Sequence, residues 1–296
     1  MDFENLLKSN KAIILDGAMG TELERRGSSD KCASNITHPE IVGAIHLDYR
    51  NAGSVAAITN TFSMTRIYIE THDLKIDTEE VNRSGVKLAR SAVGDDGYVL
   101  GDIGPTAQML EPYGTAHEED LYNSFKEQAS ILANAGVDGF IVETMFDLRE
   151  ALCTVRACKE ISDIPVIASM SFQTVKNGGR TMMGNSAEEC ATRLAEVGAS
   201  GIGANCGDLV PLEMAEVVSI IKEHTSLPII AQPNAGKPKV EAGKVFYTNP
   251  ELYAKQTLEC YKAGARIIGG CCGTTPEHIK ILSELIEKET GNTTKK

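Results

Sequence analysis

The chain has 296 residues, of which 42% are hydrophobic and 24% are charged, a composition typical of globular proteins with a substantial core. It carries 41 acidic against 29 basic residues, a net charge of -12, and the only basic cluster is the short Lys295-Lys296 end. This balance argues against nucleic acid and anionic membranes as partners, because both are negatively charged.

The N-terminus and the cysteines indicate a protein of a reducing compartment. Residues 1–5 contain no basic segment followed by an apolar stretch, and the sequence has no run of about 18 apolar residues. We therefore expect a cytoplasmic protein that does not span a membrane. The eight cysteines are better explained as reduced thiols than as a disulfide framework, since the adjacent pair Cys271-Cys272 would close a strained ring if oxidised.

Short apolar runs alternate with amphipathic segments, which predicts repeated strand and helix units and a parallel sheet. Eight runs are candidate strands, at residues 12–15, 55–58, 98–103, 139–142, 166–170, 201–204, 229–231 and 266–268. Eight units are the number that closes a (β/α)8 ring, so we predict an α/β fold with a single TIM barrel. The barrel is expected over residues 1–286, followed by a frayed tail over residues 287–296.

Three local patterns refine this prediction. The stretch 234–247 is long for a loop and is interpreted as a hairpin on the active-site face. Asn177-Gly178-Gly179 predicts another turn after the fifth strand. Thr274 and Glu277 have capping-box spacing around Pro276, which predicts the start of the last helix.

The residues with the most distinctive chemistry end or follow the predicted strands: Asp16, Asn60, Asp102, Glu143, Asn205, Cys206, Asn234, Cys271 and Cys272. In a barrel, the C-terminal ends of the strands carry the loops that form the catalytic site, so we expect these side chains on one face. Cys206 becomes a neighbour of Cys271-Cys272, because predicted strands six and eight flank strand seven around the ring.

Three thiolates favour a soft or borderline ion, and Zn²⁺ is the usual choice in a reducing compartment. Cys206, Cys271 and Cys272 would leave the fourth tetrahedral position open, as in catalytic zinc sites. Asn234 is a candidate for a weak oxygen ligand there until substrate displaces it. The alternative is three buried structural thiols, which their shared strand-end position argues against.

A metal site of this type suggests thiol chemistry. A free thiol has a pKa of about 8.5, and coordination to zinc removes its proton. The expected reaction is attack of a substrate thiolate on an activated methyl group.

Six segments at the strand ends carry recognisable motifs: Asp16 to Thr21, Thr59 to Phe62, Gly101 to Pro105, Asn205-Cys206, Pro233 to Pro238 and Gly269 to Pro276. Through them the sequence resembles the homocysteine S-methyltransferase family over nearly the whole chain. The segment Pro233 to Pro238 is most similar to the homocysteine-binding module of cobalamin-dependent methionine synthase.

The resemblance implies zinc on the three cysteines and Asn234 as the labile fourth ligand. It also implies that Asp16 and Glu143 bind the homocysteine ammonium, while its carboxylate binds backbone amides around Gly17, Ala18 and Met19. Asn60, Asp102 and Asn205 are interpreted as supporting groups, and for Asn60 and Asp102 the alternative is that they only tie loops together. Asp16 and Glu143 likewise have a structural alternative, as a turn cap and a buried carboxylate.

The resemblance implies methionine as the product and leaves the methyl donor open. A chain of 296 residues has no room for the folate, cobalamin and reactivation modules of the full enzyme. We therefore expect either a small methyl donor or a separate corrinoid protein that delivers methylcobalamin. Ser63-Met64 stand where the family more often has a glycine-containing turn, which bears on the donor side of the pocket.

Two other functions stay open: a zinc methyltransferase for another small thiol, and a non-catalytic barrel that uses Cys271-Cys272 to sense metal or redox state. Helical patterns assign Cys153, Cys158, Cys190 and Cys260 to packing roles, and Cys32 is not assigned. The six histidines share no spacing, and only His278 lies close to the cysteine pair.

Overall fold

The structure is a computed structural model that describes residues 1–241 and 244–293. Strands in this part of the chain are β1 Ile13–Ile14, β2 Ala56–Ile58, β3 Tyr98–Ile103, β4 Gly139–Met145, β5 Val166–Met170, β6 Phe172–Thr174, β7 Arg180–Thr181, β8 Gly201–Asn205, β9 Ile229–Gln232, β10 Lys239–Glu241, β11 Lys244–Phe246 and β12 Ile267–Ile268.

The α-helices are α1 Phe3–Lys8, α2 Gly20–Arg25, α3 Ser34–Thr37, α4 Pro39–Asn51, α5 Arg66–Thr71, α6 Thr78–Val93, α7 Glu118–Ala135, α8 Leu148–Ile161, α9 Ala187–Glu196, α10 Pro211–His224, α11 Pro250–Ala263 and α12 Pro276–Thr293, and a 3-10 helix spans Lys31–Ala33. None of the helices in the described ranges combines the length and apolar character needed to cross a membrane.

Eight parallel strands form the barrel, in the order β1-β12-β9-β8-β5-β4-β3-β2. A parallel bridge between Leu15 and Ala56 places the first strand beside the second and closes the ring. All eight predicted strand positions are confirmed, with ends that differ from the predicted ones by at most three residues. The predicted TIM barrel is therefore the fold of this chain.

The barrel has a filled interior and a larger core between strands and helices. Helix α1 covers the N-terminal end of the barrel, where its Phe3 and Leu7 join the inward-facing aliphatic side chains of the strands. The second core packs the outer faces of the strands against the surrounding helices. With one end of the barrel plugged by apolar residues, polar chemistry is concentrated at the opposite, C-terminal end.

Both predicted hairpins are present. Strands β6 and β7 pair antiparallel on either side of Asn177-Gly178-Gly179, and these three residues all have positive φ. Strands β10 and β11 also pair antiparallel, while the tip of that hairpin, residues 242–243, lies outside the described residues. The tail predicted to fray from residue 287 continues as helix α12 to Thr293, and residues 294–296 lie outside the described ranges.

The start of α12 differs from the predicted capping box. Thr275 precedes the helix, and both its amide and its hydroxyl lie within hydrogen-bond distance of Nδ1 of His278, at 3.2 and 2.9 Å. Nε2 of His278 donates to the carbonyl of Thr248 at 2.9 Å. His278 is thus a structural residue, and the hydroxyl of Thr274 is free to bond elsewhere.

Candidate active site

Three sulfur atoms meet at the C-terminal end of the barrel. The Sγ atoms of Cys206, Cys271 and Cys272 all lie within 4.8 Å of one another, and those of Cys206 and Cys272 are 3.9 Å apart. Zn–S bonds of about 2.3 Å in a tetrahedron place sulfurs roughly 3.8 Å apart. The spacing and the chemistry of this thiol cluster (Cys206, Cys271, Cys272) therefore fit a zinc ion.

Cys206 occupies a strained position directly after β8. Its φ is 53°, in the left-handed region that side chains rarely adopt, and its amide donates to the carbonyl of Gln232 at 3.1 Å. The sharp change of direction ends the strand and leaves the thiol partly exposed at its tip. Such strain is common where a side chain is held for function.

The adjacent cysteines are held by the loop that follows β9. The amide of Cys271 donates to the carbonyl of Pro233 at 3.0 Å, and the amide of Ala235 donates to the carbonyl of Cys272 at 2.9 Å. The hydroxyl of Tyr253 supports the same contact, lying 3.2 Å from the carbonyl of Pro233 and 3.1 Å from that of Gly269. The loop after β9 is thus bonded to the ligand-bearing turn on both sides of Asn234.

Asn234 lies in the middle of that loop with one half of its amide unpaired. Its Nδ2 donates to the carbonyl of Gly207 at 2.9 Å, whereas its Oδ1 is buried without a hydrogen-bond partner in the described structure. An unpaired buried carbonyl oxygen is costly unless something binds it. A metal ion bound to the thiol cluster would supply that partner.

The three thiols share their protons. Hydrogen bonds from the other two thiols lower the pKa of Cys272 to about 3. The pKa of Cys271 is raised by the same interactions with Cys206 and Cys272 and by burial. The interactions among the three sulfurs thus favour a thiolate within the cluster, and a metal that bound all three would displace the remaining protons. The five other cysteines are all buried, which agrees with the packing role predicted for Cys153, Cys158, Cys190 and Cys260 and assigns the same role to Cys32.

Three carboxyl groups form a second cluster at the same end of the barrel. Asp16 follows β1, Asp102 lies near the end of β3 and Glu143 lies in β4. Asp16 Oδ2 accepts a hydrogen bond from the amide of Ile58 at 2.8 Å, while Oδ1 of Asp16 and Oδ1 of Asp102 are buried and unpaired. No ion pair within the described residues includes any member of this carboxylate cluster (Asp16, Asp102, Glu143).

Burial and mutual repulsion disfavour the charged forms of these carboxyl groups. Burial raises the pKa of Asp16 and of Asp102 well above the usual range, and the charge of Glu143 raises both further. The pKa of Glu143 is raised to about 8 by burial and by the charge of Cys206, and a hydrogen bond from Gln232 partly offsets this. A cation that entered the cluster would relieve this unfavourable electrostatic state.

The turn after β1 contains the amides predicted to bind an anion. The amide of Ala18 already donates to Oγ1 of Thr274 at 2.9 Å. For the amides of Gly17 and Met19, the described structure shows no hydrogen bond. The prediction of an anion site therefore narrows to those two amides, while Ala18 is part of the framework.

Asn205 connects the two clusters. Its Oδ1 accepts from the amide of Thr144 and from Oγ of Ser169, each at 2.8 Å. Its Nδ2 donates to Oγ1 of Thr144 at 2.7 Å and lies 4.0 Å from Sγ of Cys271. Thr144, at φ 59°, directly follows Glu143, so this one amide holds the residue next to the carboxylate cluster and also approaches the thiol cluster.

Asn60 has a different environment. Its Nδ2 donates to the carbonyl of Lys31 at 3.1 Å and to Oδ1 of Asn35 at 3.0 Å, and its own carbonyl accepts from Nδ2 of Asn35 at 2.7 Å. These contacts tie the loop after β2 to the 3-10 helix and to α3. They correspond to the loop-tying alternative for Asn60.

Residues 13–286 match the family described as homocysteine S-methyltransferase. The chain belongs to the homocysteine S-methyltransferase family. It is accordingly a methyltransferase, and the motifs quoted from the sequence lie within the matched region.

Relatives with known names agree with this assignment. Methionine synthase from Mycobacterium tuberculosis is 30% identical over 301 residues, which cover 94% of this chain and 25% of that protein. The chain thus spans a quarter of the length of this curated relative. Two crystal structures of the homocysteine methyltransferase MmuM from Escherichia coli cover 95% of this chain and 98% of their own: the metallated form, with a TM-score of 0.78 at 25% identity, and the oxidised form, with 0.77 at 26%.

The structure of this family member also shows residues that sequence reasoning missed. Gln232 ends β9 and bonds Glu143, so its position at a strand end was an available signal. Thr274 lies within the motif Gly269 to Pro276, but its spacing to Glu277 suggested a helix cap instead. Tyr49 lies inside α4, where nothing in the sequence distinguishes it from a core residue.

Proposed function

We propose that this member of the family is a zinc-dependent S-methyltransferase that converts homocysteine to methionine. The observation that supports this most directly is the pairing of two clusters. The side chain of Asn205 spans the two clusters: it bonds Thr144, the neighbour of Glu143, at 2.7 and 2.8 Å and lies 4.0 Å from Sγ of Cys271. An acceptor that carries a sulfur at one end and an ammonium at the other matches both.

The chain's own residues would bind the two ends of the acceptor separately. Asp16, Asp102 and Glu143 lack a cationic partner among the described residues, so the ammonium group would compensate their charge. The amides of Gly17 and Met19 would take the carboxylate. With the α-carbon held in this way, the thiol is directed towards the cysteines. The binding energy of the ammonium and carboxylate groups then offsets the entropy lost when the thiol is oriented.

Cys206, Cys271 and Cys272 would hold the metal, and Asn234 Oδ1 would fill the fourth position in the absence of substrate. A zinc ion bound there lowers the pKa of a coordinated thiol and keeps its sulfur a thiolate at neutral pH. The substrate sulfur then attacks the methyl carbon, an S–C bond forms, and the bond from the methyl group to its donor breaks with its electron pair leaving on the donor.

The donor is tested by supplying candidates to the zinc-loaded protein with L-homocysteine. We expect methionine, detected by mass spectrometry, with at least one of four donors: methylcobalamin, a methyl-corrinoid protein, S-methylmethionine or betaine. Absence of methionine with all four contradicts the proposal. If a panel of other small thiols is methylated and homocysteine is not, the mechanism stands with a different acceptor.

The 3.9 Å separation of the sulfurs of Cys206 and Cys272 also favours a second candidate, a redox- or metal-sensing barrel. Zinc X-ray absorption spectroscopy with and without homocysteine separates the two functions. The enzyme is expected to exchange an oxygen or nitrogen ligand for a fourth sulfur when homocysteine is added. A sensor would keep its ligands unchanged by the thiol.

A further inference from the structure

The turn after β1 and the turn that bears the adjacent cysteines are joined by hydrogen bonds. The amide of Gly270 donates to the carbonyl of Asp16 at 3.0 Å. The amide of Ala18 donates to Oγ1 of Thr274 at 2.9 Å. These bonds connect the proposed amino-acid pocket (the carboxylate cluster with the amides of Gly17 and Met19) to the ligand-bearing turn.

Thr274 is the centre of this connection. Its side chain is fully buried, and its Oγ1 accepts from Ala18 while it donates to the carbonyl of Cys271 at 2.8 Å. A single hydroxyl group therefore contacts both the turn of the amino-acid pocket and the turn of the thiol cluster. Because it uses its donor and its acceptor at the same time, an apolar side chain cannot replace it without leaving a buried group unpaired.

Tyr49 reinforces the same junction from helix α4. Its side chain is 1% exposed, and its hydroxyl donates to the carbonyl of Ala18 at 2.8 Å and lies 3.2 Å from that of Thr274. Both the amide and the carbonyl of Ala18 are thus bonded within this junction. The turn after β1 cannot shift along the barrel end without breaking at least one of these bonds.

The two turns pack too closely at this junction to accommodate an added side-chain atom. A Cβ atom on Gly17 would lie 2.6 Å from Oγ1 of Thr274 and 2.9 Å from the hydroxyl of Tyr49. A Cβ on Gly270 would lie 2.5 Å from the same Thr274 oxygen. Only glycine at these two positions allows the turns to approach so closely.

We propose that Thr274 and Tyr49 are positioning residues that fix the distance between the amino-acid pocket and the thiol cluster, and thereby select the length of the acceptor, a role that rests on the proposed function. Homocysteine, the proposed acceptor, has two methylene groups between its α-carbon and its sulfur. Cysteine, its homologue with one methylene group, is the shorter thiol against which a fixed distance would discriminate. The selectivity comes from a rigid framework, because neither residue needs to contact the substrate.

The test measures thiol binding rather than methyl transfer, so it does not depend on the identity of the donor. Isothermal titration calorimetry on the zinc-loaded protein gives Kd for L-homocysteine and L-cysteine, and chelator competition gives the zinc affinity. The wild type is expected to prefer homocysteine. In Thr274→Val this preference, which is the ratio of the two Kd values, falls by about tenfold, the effect expected when a buried bond is lost. Tyr49→Phe is expected to show a smaller fall.

Three control variants distinguish a positioning role from nonspecific destabilisation of the protein. Thr274→Ser keeps the hydroxyl and is expected to restore the preference. Thr154→Val removes a buried hydroxyl that bonds only within α8, to the carbonyl of Glu150, and is expected to keep the preference. Tyr253→Phe removes a buried hydroxyl on the other side of the cysteine turn and is expected to alter zinc affinity with the preference kept.

The outcomes are distinct. An unchanged preference in both Thr274→Val and Tyr49→Phe overturns the positioning role while the proposed function stands. A fall of similar size in Thr154→Val also overturns it, because loss of any buried hydroxyl would then be sufficient. A wild-type protein that binds no homocysteine overturns the proposed function together with the positioning role.

Discussion

The thiol cluster and the carboxylate cluster lie at the same end of the barrel and are built in opposite ways. Cys206 and Cys271 are partly buried, Cys272 is exposed, and each follows the end of a strand. Asp16 and Asp102 are buried on or beside strands, with unpaired oxygens. An ion can therefore reach the sulfurs from solvent, whereas under the proposed function the cation for the carboxyl groups would arrive with the substrate.

The two clusters also differ in what holds them. The cysteine turn is bonded to the loop after β9 through the carbonyl of Pro233 and the amide of Ala235. Asp16 is instead anchored by the backbone of a barrel strand, through the amide of Ile58. Substitutions at the two clusters should thus have separable effects, on metal at one and on the ammonium group at the other.

Removal of a sulfur gives the largest expected effect. In Cys271→Ser the zinc affinity should fall by more than the roughly 100-fold that outer groups contribute, since a hydroxyl is a poor ligand for this ion. Elemental analysis and chelator competition measure it. Cys190→Ala, which removes a buried thiol from α9, is the matched control and should keep its zinc. Full zinc binding in Cys271→Ser would contradict the assignment of the ligands.

Removal of a carboxylate should spare the metal and weaken the acceptor. In Glu143→Gln we expect a loss of about 10- to 100-fold in homocysteine affinity, as for a lost charged hydrogen bond, with zinc content unchanged. Calorimetry gives the affinity of the wild type and the variant for two thiols, homocysteine and 4-mercaptobutanoate. The second has the same chain as homocysteine without the amino group. Equal losses for the two would show that Glu143 does not bind the ammonium.

Asn205 tests whether the two clusters are independent. Its amide touches Thr144 on one side and approaches the sulfur of Cys271 on the other, so Asn205→Ala should weaken both functions by about tenfold. Zinc competition and homocysteine calorimetry measure the two effects. Asn82→Ala, which removes a buried amide bonded to the carbonyls of Met64 and Thr78 and to the side chain of Gln128, should change neither. If only the zinc affinity or only the homocysteine affinity fell, Asn205 would support one cluster and not both.

The sequence predicted much of this arrangement, because the barrel rule converts position along the chain into position in space. Cys206 and Cys271 are far apart in sequence, yet both follow strands, and alternate strands of a closed ring lie near each other. The chemistry of three cysteines and the motif around the adjacent pair then indicated a metal. Nothing beyond strand positions and residue types was needed for this part of the site.

The remaining part depended on contacts that have no local signature. Thr274 had the spacing of a helix cap, but its hydroxyl bonds Ala18, which lies 256 residues away in sequence. Tyr49 has an ordinary position inside a helix. Buried polar partners are chosen by three-dimensional proximity, so local patterns cannot identify them.

Glu150 shows that a raised pKa alone does not mark the amino-acid pocket. It is 1% exposed, and burial raises its pKa to about 7, with the charge of Asp147 adding to the shift. Its Oε1, however, accepts from the amide and the hydroxyl of Thr106, at 2.8 and 2.6 Å, which lower the pKa in part. Glu150 thus ties the loop after β3 to the start of α8.

Glu150→Gln should therefore leave homocysteine and zinc binding unchanged and alter only the pH dependence of stability. The folded-state pKa of about 7 exceeds the ordinary value of 4.5, so the group's favourable contribution is complete below pH 4.5 and is lost as pH rises through 7. Glutamine keeps a carbonyl for Thr106 and does not ionise. From pH 5 to pH 8 the free energy of unfolding of the variant, measured with urea, should rise by roughly 2 kcal/mol relative to that of the wild type. A constant difference across this range would show that Glu150 ionises normally, and weaker homocysteine binding would place it in the pocket.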